Sequence, residues 1–110
     1  MNNLDLLRQA IRSKSSISFK YDLPEKVHGT RRGDPYAVFI IHKNDGTEST
    51  KVHILQTDGV TESNKPFPSF RMFNLQDLSN IIIINNDKPF PIHPDYNPNW
   101  IGYEFIIEKV

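Results

Sequence analysis

Four histidines, His28, His42, His53 and His93, are the first residues to test for metal or acid–base chemistry. No two are spaced as one helical turn or one tight loop requires to bring both imidazoles onto an ion. His93-Pro94-Asp95 offers two ligands on one loop and no third. With no cysteine in the chain, thiolate metal sites, disulfides and a cysteine nucleophile are excluded. No serine stands in a Gly-x-Ser-x-Gly elbow, and the five glycines are isolated, which leaves no phosphate-cradling loop. The carboxylates are dispersed, and nothing in their order pairs two of them for glycosidase-like work. These residues point away from an enzyme, a metal or a cofactor, and toward a protein that binds without transforming.

Arginine is the residue type that could carry binding. A guanidinium offers paired donors that match phosphate or carboxylate bidentately. Arg31 and Arg32, brought beside Arg71, would form an anion site; an edge arginine tied to Asp34 or Glu62 is the plainer alternative. Gln56, Thr57, Asp58, Thr61 and Ser63 form a polar group able to hydrogen-bond a small ligand or simply to be solvated. Arg32-Gly33-Asp34 spells a cell-attachment tripeptide, a pattern short enough to recur by chance.

The elements that must position these groups follow from hydrophobic period. Leu4, Leu7, Ala10 and Ile11 fall on one helical face, so a helix is expected over residues 3–13, capped by Asn3. The period then shortens to two. Ile17, Phe19 and Tyr21 alternate with polar residues and predict a strand over 17–22. A polar loop is expected from Leu23 to Asp34. Strands over 36–43 and 49–56 flank the turn Asn44-Asp45-Gly46-Thr47. Further strands are expected over 69–74, 80–85 and 101–108, with a Pro-rich arm over 86–99 that four prolines keep irregular.

The 110 residues make one domain, 1–110, with about two-thirds of the unfolded surface buried on folding. The class is mainly β (α+β). Six short strands and one N-terminal helix are best satisfied by closure into a small SH3-like or Sm-like barrel, since an open sheet leaves two unprotected edges. Thirteen Lys and Arg balance thirteen Asp and Glu, so bulk charge does not favour nucleic acid or anionic lipid. Residues 1–33 nevertheless hold seven bases against three acids. No signal-peptide pattern opens the sequence, and the longest apolar run, Tyr36 to Ile41, is too short to span a bilayer, so a cytoplasmic protein without membrane contact is expected.

The order of several residues resembles the WYL domain family. It comprises the helix ending Ala10-Ile11, the strand Ile17-Ser18-Phe19-Lys20-Tyr21, Arg31 four residues before Pro35, and the turn Asp45-Gly46. Phe70-Arg71-Met72-Phe73 and the spacing of Leu75, Leu78, Ile81 and Ile83 complete it. Val52-His53-Ile54 occupies the place of the name tripeptide. Gln56-Thr57-Asp58-Gly59 and Tyr96-Asn97-Pro98-Asn99 are similar to a stand-alone branch that lacks a helix-turn-helix. The resemblance implies an SH3-like barrel acting as a sensor in regulators of bacterial type. Its ligand would be anionic, a nucleotide or short single-stranded nucleic acid. Arg31 and Arg71 would then make charge-assisted contacts, Tyr21 and His53 would stack or hydrogen-bond, and Gln56 would add a polar contact. The alternative is a protein-interaction or homodimerisation module that uses strand edges, the Pro-rich arm and Trp100.

Overall fold

An amphipathic face and two left-over polar ends define the single helix. In the computed structural model, which describes residues 2–61, 65–84 and 88–110, α1 runs Asn3–Ser13 and buries Leu7, Ala10 and Ile11. The cap is Asn2 rather than Asn3: its side chain accepts from the Asp5 N–H at 2.8 Å. Asn3 instead donates through Nδ2 to the Leu78 carbonyl at 2.9 Å, tying the helix start to the sheet. Lys14 takes the left-handed conformation, φ 52°, and its N–H closes the last turn.

Six antiparallel strands form one sheet: β1 Ile17–Lys20, β2 Thr30–His42, β3 Glu48–Gly59, β4 Ser69–Asn74, β5 Ser79–Ile83 and β6 Phe105–Lys109. Their order is β4-β3-β2-β1-β5, with β6 also on β2. The fold is therefore mainly β with one helix. Closure into a barrel is not among the described pairings, and β4 and β5 end the row of strands. Among the described residues, no helix is long and apolar enough to cross a membrane.

The largest difference from expectation is at β2. Residues 30–34, expected in a loop, begin a strand of 13 residues because both of its edges find partners. Phe19 pairs with Arg31 and Ile17 with Gly33 on one edge, while β3 runs along the other. Two register shifts, between Arg32 and Gly33 and between Pro35 and Ala37, bend it. β1 is shorter than expected, although Tyr21 beyond its end stays in the core. β6 begins at Phe105, because residues 100–103 turn instead, with the Tyr103 N–H donating to the Trp100 carbonyl at 3.0 Å. Residue 85 of the expected fifth strand and residues 86 and 87 of the arm lie outside the described residues; 88–99 contains no helix or strand.

The sheet is covered on both faces. On one, α1 packs Leu7, Ala10 and Ile11 against Phe19, Val38, Val52, Ile54 and Phe73. On the other, the Pro-rich segment supplies Phe90 and Tyr96 to Tyr36, Leu55 and Phe70. Arg8 and Arg12 both reach Glu108, at 3.2 and 3.1 Å, and fasten α1 to β6.

Candidate functional site

Strand alternation sends the five residues singled out in the sequence to two different faces. Arg31 lies opposite Phe19, and Arg71 opposite Ile54 and two residues from Phe73, so both occupy the helix-side face. Gln56, two residues from Ile54, is on that face as well. Tyr21 joins them through its ring, 4.8 Å from Phe73.

This group is interior. Arg31 is 0% exposed; its guanidinium stands 5.7 Å from the Phe73 ring and donates to the Val27 carbonyl at 3.3 Å. Gln56, also 0% exposed, donates to the carbonyls of Asp58 and Val60 at 3.1 and 2.9 Å, and its Oε1 is buried with no hydrogen-bond partner. Tyr21 accepts from the Asn74 N–H at 3.3 Å. Arg71 is half-buried, donates to Ser69 Oγ at 3.1 Å and lies 5.8 Å from the Phe67 ring. The arginine wall expected from the sequence is thus a polar layer within the core. In this conformation Arg31 holds the loop at Val27 and Gln56 the end of β3, while the Arg31 guanidinium and the Tyr21 ring pack on Phe73.

Asp34 is not tied to Arg71. It is buried on the opposite face, accepts from Ser16 Oγ at 2.5 Å, and burial raises its pKa more than that bond lowers it. The Arg-Gly-Asp tripeptide accordingly lies within β2 and presents no exposed loop. Glu62 and Ser63 lie outside the described residues.

His53 faces the other side, where the structure forms a cleft of about 200 Å³. His53, Phe70, Tyr96, Trp100 and Tyr103 supply its rings, and Asp95 and Asn97 its polar lining. Local chemistry shapes this wall. Pro91, Pro94 and Pro98 forbid regular structure. The Tyr36 hydroxyl pins the segment by accepting from the His93 N–H at 2.9 Å and donating to the Pro91 carbonyl at 3.3 Å. Turns at His93–Tyr96 and Asn97–Trp100 then bring the aromatic residues over β3.

Within the cleft, the rings of His53 and Trp100 are 5.0 Å apart and tilted by 32°. Tyr103 stands edge-on to both, and its hydroxyl meets His53 Nδ1 at 2.7 Å. Burial lowers the His53 pKa from its ordinary 6.5, and it raises those of Tyr96 and Tyr103. All three groups are therefore neutral near pH 7. The Tyr96 hydroxyl is buried and makes no hydrogen bond. Lys51, two residues from His53 and on its face, bonds to Asn74 Oδ1.

Sequence reasoning missed Phe70, Tyr96 and Tyr103 as cleft residues. The available signal was the clustering of three aromatic residues between positions 96 and 103 in a Pro-rich stretch, where a helical or strand core cannot use them. Among the described residues, no group of three or more His, Cys, Asp or Glu could hold a metal ion. No protein-family model, curated protein or solved structure matches this chain.

Proposed function

We propose that this chain is a non-catalytic binding module for a nucleotide or a short single-stranded nucleic acid, with a base held in the aromatic cleft. The observation that carries the reading is the set of rings on His53, Phe70, Trp100 and Tyr103 around a space with two polar residues at its rim. Base–aromatic stacking needs only such faces and contributes about 1–3 kcal/mol per base. Lys51 on the same face and Lys109, whose strand position is opposite Ala37 beside His53, would take the phosphates. Two lysines give a log–log salt slope of about −1.4 for a single strand. The WYL-type resemblance and an SH3-like barrel belong to the same proposal. Their support is the order β5-β1-β2-β3-β4, a meander whose fifth strand returns beside the first.

The only tryptophan in the chain, Trp100, lines the cleft, so its fluorescence reports occupancy. Titrating a ten-residue oligothymidylate (dT10) at two salt concentrations should quench it, with weaker binding at the higher salt. No quenching at low salt, or equal affinity in the His53→Ala variant, refutes the assignment.

A second reading, self-association, is favoured by one observation: Ile101, in the turn before β6, is 93% exposed and Phe105, at its start, 60%, and among the described residues β6 pairs on one edge. Deleting the Pro-rich arm would not test it, because Phe90 and Tyr96 belong to the core. Light scattering over a concentration range does, with Ile101→Ser/Phe105→Ser as the comparison. A monomer at every concentration removes this reading.

A further inference from the structure

The contact between Tyr103 and His53 can be made in two ways, and they differ in what the cleft offers a ligand. If His53 Nδ1 carried the proton, the Tyr103 hydroxyl proton would have no protein acceptor, since no other bond is made by that hydroxyl. If the hydroxyl donates, both groups are satisfied and the proton of the neutral imidazole is on Nε2. Among the described residues Nε2 has no hydrogen-bond partner, and it is not a sealed-off atom, so its N–H is left to the cleft that the ring lines. The Tyr96 ring lines the same cleft, while its hydroxyl is turned inward and sealed from it. Unpaired polar groups in an aromatic cleft are costly unless something completes them.

Size narrows the occupant. A cleft of about 200 Å³ is below the roughly 300 Å³ at which pockets for whole small molecules begin. One ring fits where a fused pair would protrude. A thymine or uracil ring carries carbonyl oxygens, which accept and do not donate. A hydrogen-bond donor beside aromatic faces matches that edge.

Building on the reading that the cleft takes a base, we propose that its occupant is a pyrimidine. A ring carbonyl accepts from His53 Nε2–H, and Tyr103 is the positioning residue that fixes this donor. Stacking on Trp100 supplies affinity, and the carbonyl contact supplies the choice of base.

The test has two readouts on the full chain. Nitrogen-15 NMR of the free protein reads the His53 tautomer directly, and Trp100 fluorescence reads binding of dT10 and of the matching oligoadenylate (dA10). The expected result is protonated Nε2, with dT10 bound roughly 2- to 12-fold more tightly than dA10, the worth of one net hydrogen bond. Tyr103→Phe should mix the tautomers and abolish the preference. His53→Gln, whose amide donor reaches the former Nε2 position, should keep the preference and make it indifferent to Tyr103→Phe. Protonated Nδ1, a preference unchanged in Tyr103→Phe, or dA10 bound as well as dT10 overturns the proposal. Failure of both oligonucleotides to quench Trp100 overturns the nucleic-acid reading and the pyrimidine assignment with it. Binding without preference overturns the pyrimidine assignment alone.

Discussion

Gly102 gives the sharpest test of whether the Trp100 indole is a working surface of the cleft. A Cβ at this position would lie 2.3 Å from Trp100 Cη2, 2.4 Å from Cζ3 and 2.6 Å from Cζ2. Carbon atoms in contact need about 3.5 Å, so in Gly102→Ala the indole must retreat by about 1 Å. The backbone does not resist the change, because positive φ occurs only at Gly29, Gly46 and Gly59 among the described glycines. Trp100 is 37% exposed, which leaves the ring somewhere to go. The stability loss should therefore stay near the low end for overpacking, about 1 kcal/mol, or roughly 4–8 °C in thermal midpoint. Binding should suffer far more. A displaced indole no longer stands 5.0 Å from His53, and losing one stacking contact weakens oligonucleotide binding by roughly 5- to 150-fold. Fluorescence emission of the free variant, a dT10 titration and a thermal melt measure the three quantities on one sample. Wild-type emission together with wild-type affinity would refute the placement of Trp100 in the site.

Other substitutions test the frame. Phe73 is 4% exposed and edge-on to Phe19 and Tyr21 at 5.2 and 4.8 Å, so Phe73→Ala should cost about 3–5 kcal/mol in a denaturant melt; a loss below 1 kcal/mol would deny it a core role. Gly59 has φ +97°, and a Cβ there would meet the Thr30 carbonyl oxygen at 2.3 Å, a backbone atom that cannot yield. Gly59→Ala should lower stability by at least about 2 kcal/mol, and an unchanged thermal midpoint would contradict the β2–β3 register at that end. His42 lies between Glu104 and Glu48, at 3.2 Å from each, and bonding to Glu104 first and attraction to Glu48 next raise its pKa above the ordinary 6.5. A raised folded pKa means that its contribution is complete below that ordinary value and lost as pH rises through the folded one. Proton NMR should show the His42 midpoint falling toward 6.5 in Glu104→Gln, and an unmoved midpoint would break the assignment.

How much was readable in the chain depends on the physics at each position. The helix over 3–13 and the strand over 69–74 rest on local period alone, and both stand at those residues. β2 did not declare itself over residues 30–35, because Arg31, Arg32, Gly33, Asp34 and Pro35 lack the apolar alternation of a strand. They are in one because β1 and β3 need their backbone groups, which is tertiary demand rather than propensity. The candidate site was partly visible for the same reason. His53 is singled out through the resemblance, at the place of the name tripeptide, whereas Trp100, Tyr103 and Tyr96 reach it only through turns that sequence period does not encode. Arg31 was legible as unusual but not as buried, since a charged residue between polar neighbours reads as surface until its cross-strand partner Phe19 is known.

Pro35 ties these threads together. A proline inside a central strand removes a ladder donor and argues against the strand, unless the ladder has a gap there. β2 has one: its second edge is held by β1 through Gly33 and by β6 from Ala37 onward. Pro35 therefore stands where one neighbour hands over to the other, and its missing N–H leaves no strand partner unsatisfied on that edge. The register shift that follows inserts Tyr36 as an extra residue, and the Tyr36 carbonyl accepts from the Val110 N–H at 2.9 Å. Its ring joins Leu55 and Phe70 on the face away from the helix, and its hydroxyl holds the Pro-rich segment there. Tyr36 keeps the face of Asp34, two residues before it, and the shift lets Ala37 share that face while Val38 returns to the helix side. The irregularity thus sets Tyr36, which anchors the segment carrying Tyr96 and Trp100, next to Ala37, the cross-strand partner of His53, on the face of the cleft.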